Sequence, residues 1–338
     1  MLVGKQSWNF ANAPAILSTG VVGGSLEKDG LLANDFDLLY DDNYVNKESH
    51  EKANRKLLED AIEIVLQKGK IEKEQVQFFI AGDLINQMTP TTFAARTSAI
   101  PHIGIFGACA TSMEGLALSS FLVNYNGGNH IITGASSHKG AVEKQFRYPT
   151  DYGGQKPPTA QSTVTGAGVA LIGKSMNIQQ PIHKVKAATI GKVVDMGLTD
   201  PYNMGGAMAP AAVDTIIAHH KDLGLGPNYY DAVITGDLGR IGHQVAYDLM
   251  QENGFGIQKD RFLDCGMLIY SKNQDVFSGG SGAACSATVL YGHLLNEMKK
   301  GTYKRILLVS TGALLSPLSF QQGETIPCIA HAVAIQYE

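Results

Sequence analysis

The sequence is short of cysteine, of basic clusters and of long apolar runs. Its four cysteines include no CxxC pair, so the spacing excludes the common zinc-ligand patterns, and we expect reduced thiols, with neither metal nor cofactor. The net charge is −4 and no run of Lys and Arg is present, which argues against nucleic acid as a partner. We find no signal peptide and no uncharged apolar run of membrane-spanning length. We therefore expect a soluble chain that contacts membranes only through other proteins.

Glycine, by contrast, is abundant: 38 glycines accompany 12 prolines in 338 residues that are 44% apolar and 17% charged. This composition is typical of a compact globular protein with close backbone contacts. The length allows two domains or one large α/β unit. An acidic stretch at 27–50 lacks the ligand spacing of an EF-hand, so we interpret it as a solvated loop.

A candidate site lies within IGIFGACATSMEGLAL at 103–118, where an apolar strand-like segment meets small residues, a lone cysteine and a helical pattern. Small residues before Cys109 permit a sharp strand-to-helix turn, which holds a side chain out at the top of a sheet. A cysteine in the first turn of a helix faces backbone N–H groups that favour a thiolate or a bound anion. A buried cysteine on a packed helix is the alternative interpretation.

The remaining pattern alternates helices and strands. Helical spacing of apolar residues predicts an amphipathic helix over 51–67, and short apolar runs predict strands at 76–81, 130–134 and 168–172. The stretch 135–165 has no sustained periodicity and is basic and aromatic. Because long loops inside compact domains are usually functional, we expect a binding loop here, with a solvated connection as the alternative.

The second half of the chain repeats the first. Residues 107–136 and 282–313 each contain a small-residue turn with a cysteine, a helix, a glycine stop, a β-branched strand and Thr-Gly-Ala. We infer an ancient duplication. It predicts an α/β fold with two parallel-rich sheets in five layers, α/β/α/β/α, built from two βαβα halves at 1–178 and 179–338 that form one compact unit.

Four segments resemble the thiolase and β-ketoacyl synthase superfamily: the helix around Arg96, the turn at Cys109, the glycine-rich turn before Ser286, and the last turn, 327–334. The resemblance implies the thiolase-like fold, with Cys109 at the nucleophile position. It also places Cys328 where thiolases carry a second catalytic cysteine.

Departures from the superfamily pattern imply that the reaction is lost. Ser286 stands where thiolases carry histidine, and Asp237 where the superfamily has a histidine or asparagine turn. Claisen chemistry needs imidazole or amide groups around the thioester oxygen, and an ionised aspartate there would oppose a thiolate. His331 replaces a glycine in the last turn. We therefore expect a non-catalytic protein in which Cys109 is a vestigial nucleophile.

Over its whole length the sequence resembles the stage V sporulation protein AD family. That resemblance implies binding of dipicolinic acid (pyridine-2,6-dicarboxylic acid) or its calcium chelate, its uptake into developing spores and its release at germination. It also implies membrane-protein partners in the same transport complex and a location peripheral to the spore inner membrane. The residues expected to bind the ligand are Cys109, His138, Asp237, Ser286, Cys328 and His331.

In this arrangement we expect a ligand carboxylate at the start of the helix that begins at Cys109, a protonated His331 on the opposite wall, and residues 138–156 at the mouth. We also expect a homodimer through the region 80–100. Two other functions stay open. One is an active acyltransferase or condensing enzyme on coenzyme A or acyl carrier protein thioesters, using Cys109. The other is a structural scaffold for a membrane complex.

Overall fold

The computed structural model describes residues 1–146, 156–175 and 180–338. Its strands are β1 Leu2–Val3, β2 Ser7–Asn9, β3 Ala15–Gly23, β4 Leu38–Leu39, β5 Phe78–Gly82, β6 His102–Gly104, β7 His130–Ser137, β8 Ser162–Thr163, β9 Gly166–Gly173, β10 His183–Ile190, β11 Ala232–Thr235, β12 Phe262–Asp264, β13 Gly280–Ser281, β14 Arg305–Ala313 and β15 Cys328–Tyr337. Its α-helices are α1 Ser25–Lys28, α2 His50–Gly69, α3 Thr89–Ser98, α4 Thr111–Asn124, α5 Lys139–Phe146, α6 Met204–Leu223, α7 Gly239–Glu252, α8 Cys265–Leu268, α9 Ala283–Thr288, α10 Leu295–Lys300 and α11 Pro317–Gln321. A π-helical turn, Val289–Leu294, joins α9 to α10.

The two halves have the same strand order. In the first half it is β6-β5-β7-β9-β3, and in the second it is β12-β11-β14-β15-β10. In each half the first two pairs are parallel and the last two antiparallel. The sheets are therefore mixed rather than parallel-rich, because β9 and β15 run antiparallel to the strands on both sides of them. A two-residue pairing of β3 with β10 joins both halves into one continuous sheet.

Five layers follow from how the helices pack. Helix α2 covers the outer face of the first half and α6 that of the second, while α4 lies between the halves and contacts β5 and β7 on one side and β14 and β15 on the other. Small residues make this central position possible: a Cβ added at Gly115 in α4 would lie 2.4 Å from the Thr133 hydroxyl. Ten of the fourteen residues of α4 are buried, as the central position of the helix requires. The predicted five-layer α/β/α/β/α arrangement is confirmed.

The stretch predicted as a long loop is partly regular. Strand β7 continues to Ser137, whose hydroxyl donates to the Val164 carbonyl at 2.8 Å. Helix α5 follows at once and buries Ala141 and Val142. Its eight residues are too few for the helical period to stand out in the sequence. Residues 147–155 of the predicted loop lie outside the described residues, as does the predicted boundary between the halves at 178, whereas 156–165 are described and include β8.

The structure also bears on membrane insertion. Across the described ranges, every helix is too short or too polar to cross a bilayer.

Candidate functional site

Cys109 lies in the tight turn that leads from β6 into α4. Ala108, just before it, has φ +52°, in the left-handed region, which costs a residue with a Cβ about 1 kcal/mol. Thr111 holds the turn closed: its hydroxyl donates to the Ala108 carbonyl at 2.7 Å and accepts the Gly107 N–H at 3.0 Å. The turn leaves the Cys109 side chain partly exposed at the start of the helix, as the sequence pattern predicted.

Strand β14 of the second half supports this turn from behind. The Ser310 hydroxyl donates to the Ala110 carbonyl at 2.8 Å. At Gly312 the two backbones approach so closely that an added Cβ would lie 2.2 Å from the Gly107 carbonyl oxygen. The geometry of the Cys109 turn therefore depends on residues from both halves of the chain.

Ser286 lies beneath the turn and faces Ser112 of α4. Their hydroxyl oxygens are 2.6 Å apart, and both side chains are buried. This hydrogen bond ties α9 to α4. The hydroxyl of Ser286 thus contributes to packing between the halves.

Asp237 lies beside Cys109, in the loop between β11 and α7. Its carboxyl accepts the Thr311 hydroxyl at 2.7 Å and the Gly282 N–H at 2.9 Å, and the Cys109 side chain is a further hydrogen-bond partner. Burial raises the pKa of Asp237 to about 7, and the nearby Asp264 adds to this. The argument from the sequence held for an ionised aspartate, and burial shifts Asp237 away from that state. Near neutral pH the carboxyl is partly protonated and can donate a hydrogen bond.

Two residues that sequence reasoning missed hold the Asp237 loop in place. The Asp264 carboxyl accepts the N–H groups of Leu238 and Gly239 at 2.8 and 3.0 Å, and burial raises its pKa. The Gln161 side-chain amide donates to the Asp237 carbonyl at 2.7 Å. Asp264 also caps α8, which is a signal visible in sequence. Nothing local in the sequence marks Gln161, because its partner is 76 residues away.

A pocket opens in front of Cys109, with about 430 Å³ of empty space that is partly open to solvent. Most of its walls are apolar, and Thr163 and Ser281 bring hydroxyl groups. Among residues 1–146, 156–175 and 180–338, no charged side chain lines it. The lining residues are Leu84, Phe106, Ala108, Cys109, Val142, Thr163, Met204, Ser281, Gly282, Ala313 and Leu315.

Cys328 lies close to this pocket. It begins β15 directly opposite Ala313, a lining residue. Its side chain is buried, and its thiol donates to the Ile326 carbonyl at 3.4 Å. Burial, with added effects of Asp195 and Asp237, raises its pKa to about 12. Cys328 is thus a neutral thiol near pH 7.

Neither of the two expected histidines lines the pocket. His331 is buried in the middle of β15, where its Nδ1 accepts the Gly191 N–H at 3.3 Å. Residues three apart in a strand point to opposite faces of the sheet, so Cys328 and His331 do not form one wall. Burial lowers the pKa of His331 to about 4. The expected protonated imidazole is therefore neutral at pH 7.

His138 is completely buried behind the 43–50 segment. Its Nε2 contacts the Asn43 carbonyl, and its ring stacks on that of His50 with 4.8 Å between centroids. Burial lowers its pKa to about 4 as well. The structure thus brings together Cys109, Asp237 and Cys328 with Ser286 below, and places the two histidines outside the lining.

Known proteins resemble this chain at two levels. Over residues 4–336 it matches the family described as stage V sporulation protein AD (SpoVAD). It is 46% identical to Stage V sporulation protein AD of Bacillus subtilis (strain 168), over 99% of this chain and 98% of that protein.

Solved structures with the same fold are much more distant in sequence. The 3-oxoacyl-[acyl-carrier-protein] synthase III of Aquifex aeolicus is 12% identical, with TM-score 0.59, over 96% of this chain and 100% of that one. An OleA variant of Xanthomonas campestris is 13% identical, with TM-score 0.63, over 99% and 100%. Another, with bound lauric acid and lauroyl-CoA, is 12% identical, with TM-score 0.58, over 95% and 98%. These likenesses establish the thiolase-like fold alone, whereas the near-complete sequence match establishes the family: the chain belongs to the stage V sporulation protein AD family.

Proposed function

We propose that this sporulation protein binds dipicolinic acid in the pocket beside Cys109, and so serves its uptake into developing spores and its release at germination without catalysing a reaction. One observation carries the proposal: an apolar pocket opens onto the start of α4, where the Cys109 side chain meets the buried, partly protonated Asp237. Small-ligand sites are typically of this kind, mostly apolar with a few placed polar groups.

Dipicolinate is a flat ring that carries two carboxylates, and each part has a counterpart in the pocket. We expect the ring to lie between apolar walls that include Phe106 and Leu315. One carboxylate would lie at the start of α4, where the helix dipole favours negative charge. The hydroxyls of Thr163 and Ser281 are the neutral donors within the lining.

Binding should weaken as pH rises through about 7. Asp237, with its pKa of about 7, becomes negative over that range and then repels the ligand carboxylate. No charged side chain among the described lining residues offsets this repulsion. Within the described ranges, no group of three or more His, Cys, Asp or Glu residues could hold a metal ion. We therefore propose that calcium, when present, arrives as the chelate of the ligand.

Calorimetric titration with dipicolinate, with and without calcium, tests the proposal in Phe106→Ala and Phe320→Ala. Both rings are 48% exposed, but only Phe106 lines the pocket. Removing a wall should weaken binding about tenfold, because one decade corresponds to 1.4 kcal/mol, whereas Phe320→Ala should bind as the parent does. Cys109→Ser should change the affinity for dipicolinate little, because the proposed binding does not use the sulfur as a nucleophile. Lack of binding by the parent, or equal effects of both phenylalanine substitutions, would contradict the proposal.

An acyltransferase acting through Cys109 is the second candidate. The apolar lining would also accept an acyl chain, and one OleA variant of the same fold is described with bound lauric acid and lauroyl-CoA. Asp237 and Ser286 argue against it, because neither supplies the imidazole or amide that such chemistry needs. Incubation with acyl-CoA and intact-mass measurement decide the point: this candidate requires an acyl adduct that disappears in Cys109→Ser.

We also propose a homodimer, and attachment to the spore inner membrane through membrane proteins of the same transport complex. Strand β6 is the last strand at its edge of the sheet as described. Phe93 and Ile103 nearby are 39% and 40% exposed, and a bare apolar edge is costly in water. Sedimentation should give a dimer at micromolar concentration, and Ile103→Lys should dissociate it. Flotation with membranes should require the co-expressed partners.

A further inference from the structure

A second groove lies at the opposite end of the second-half strands. It contains about 590 Å³ of empty space, partly open to solvent. Arg305 at the start of β14 lines this groove, while Ala313 at the end of the same strand lines the Cys109 pocket. Eight residue steps of about 3.3 Å separate the two, so the sites are roughly 26 Å apart. The lining residues are Asn9, Lys186, Ala187, Leu223, Leu225, Tyr229, Tyr230, Arg305, Ala334, Ile335 and Gln336.

Arg305 is the charged centre of this groove. Its guanidinium carbon lies 4.3 Å from the centre of the Tyr229 ring, and its backbone N–H donates to the Asp231 carboxylate at 2.8 Å. Among the residues that the structure describes, none accepts a hydrogen bond from the guanidinium or forms an ion pair with it. A guanidinium group is planar and carries five N–H donors, and one that is fixed over an aromatic ring is suited to bidentate binding of an anion.

The rest of the groove adds a second cation and an apolar floor. Lys186 is half exposed and shares the Glu338 carboxylate with Lys184, each at 3.3 Å, so it is only loosely held. Leu223, Leu225 and Ala334 contribute apolar groups.

Tyr230 makes the floor rigid, because its hydroxyl is engaged at the back of the groove. It hydrogen-bonds His219 Nε2 at 2.7 Å, and a buried chain of hydrogen bonds runs on through Thr189 to Ser7, each link 2.7 Å. Tyr230 is 4% exposed, so it lines the groove as a buried, fixed residue.

We propose that this groove binds a carboxylate carried on an apolar or aromatic body. The carboxylate would take two parallel hydrogen bonds from Arg305, and the body would rest on the apolar floor beside Tyr229. A free carboxylic acid and the C-terminal carboxylate of a peptide with an apolar last residue share this chemistry. The site is additional to the Cys109 pocket and does not depend on the function proposed for that pocket.

Calorimetric titration with benzoate, and with benzamide as its uncharged analogue, tests the site. Benzoate should bind saturably and benzamide should not. Arg305→Gln should weaken benzoate binding by about tenfold, the usual consequence of losing a charge-assisted pair. Lys304→Gln is the matched control, because Lys304 is the adjacent exposed cation and lies outside the lining. It should bind as the parent does.

Further variants keep the test decisive. Arg305→Lys keeps the positive charge but lacks the two parallel N–H donors of the guanidinium. It should therefore lose less benzoate affinity than Arg305→Gln, and it keeps the test possible if Arg305→Gln folds poorly. A short peptide ending in phenylalanine, compared with its C-terminal amide, distinguishes the peptide source from the free acid. Phe106→Ala should leave benzoate binding unchanged, which separates this site from the dipicolinate proposal. Absence of binding by both benzoate and the peptide, or equal affinity in Arg305→Gln and Lys304→Gln, would overturn the proposal.

Discussion

Each half of the chain places a cysteine near the start of a helix, but at different positions: Cys109 lies two residues before α4, whereas Cys285 is the third residue of α9. Cys109 is partly exposed at the wall of a pocket, and its side chain meets the Asp237 carboxyl. Cys285 is completely buried, and its thiol donates to the Gly236 carbonyl at 3.3 Å. The start of the helix therefore carries a potential binding site in the first half and is packed into the core in the second.

What covers each turn accounts for the difference. Strand β8 of the first half pairs with β13, just before the Cys285 turn, and the Ser137 hydroxyl accepts the Ala284 N–H at 3.1 Å. The first half thus extends over the second turn. The Cys109 turn is supported from below by β14, while the pocket lies in front of it. A pocket is therefore present in front of Cys109, where the other half leaves space, whereas the first half covers Cys285.

Thiol labelling should give the largest contrast between the two turns. We expect iodoacetamide to modify Cys109 in the folded protein at least about a hundred times faster than Cys285, because even an opening free energy of about 3 kcal/mol imposes that factor. Burial also raises the pKa of Cys285 far above its usual range, which disfavours the reactive thiolate. Peptide mass mapping against time measures both rates. Similar rates would show that the second turn is not closed.

Glycine-to-alanine substitutions in the two Thr-Gly-Ala strands should separate support of the site from support of the sheet. A Cβ at Gly312 would lie 2.2 Å from the Gly107 carbonyl oxygen, and one at Gly134 would lie 2.5 Å from that of Gly168. Each should lower the free energy of unfolding by about 3 kcal/mol, as overpacking against a backbone does. Only Gly312→Ala should also change the labelling rate of Cys109. Gly226→Ala, with no atom within 4 Å of the added Cβ, is the control in urea unfolding.

Asp237→Asn should give the smallest effect, visible in its pH dependence. The folded pKa of Asp237, about 7, lies above its unfolded value, so the folded state binds more protons between these values. The contribution of this group to stability is therefore present at low pH and is lost as pH rises from about 4 to about 7. Relative to the parent, Asp237→Asn should gain at least about 1 kcal/mol on going from pH 4.5 to 7.5. Parallel unfolding curves of the two proteins at both pH values would contradict this.

The regular elements were predictable because their signals are local. The helix predicted at 51–67 is α2, and the turn at Cys109 begins a helix as its small residues indicated. The internal repeat predicted the shared topology. The sheets were expected to be parallel-rich because the βαβα order of elements in the sequence does not reveal that β9 and β15 run antiparallel to their neighbours.

The candidate site was predictable only in part. Cys109 was identified from its turn and Asp237 from the resemblance to the superfamily, and the structure brings the two together. His331 was expected in the pocket from its nearness to Cys328 in sequence, but strand alternation places it on the other face. Gln161 and Thr311 contact Asp237 across 76 and 74 residues. No single-sequence pattern encodes such distances.

The support of the Cys109 turn by β14 has a consequence for how the protein acquires its pocket during synthesis. The hydrogen bond from Ser310 to Ala110 spans 200 residues, so the turn cannot be completed until β14 has left the ribosome. Closing a loop of this length loses chain entropy before the contacts it brings together can stabilise it. Such contacts therefore form late in folding. Until then the nascent first half carries the Ala110 carbonyl and the Ser112 hydroxyl without these partners. The pocket can therefore bind a ligand only after this late step of folding. A ribosome-bound first half should not bind any ligand of this pocket.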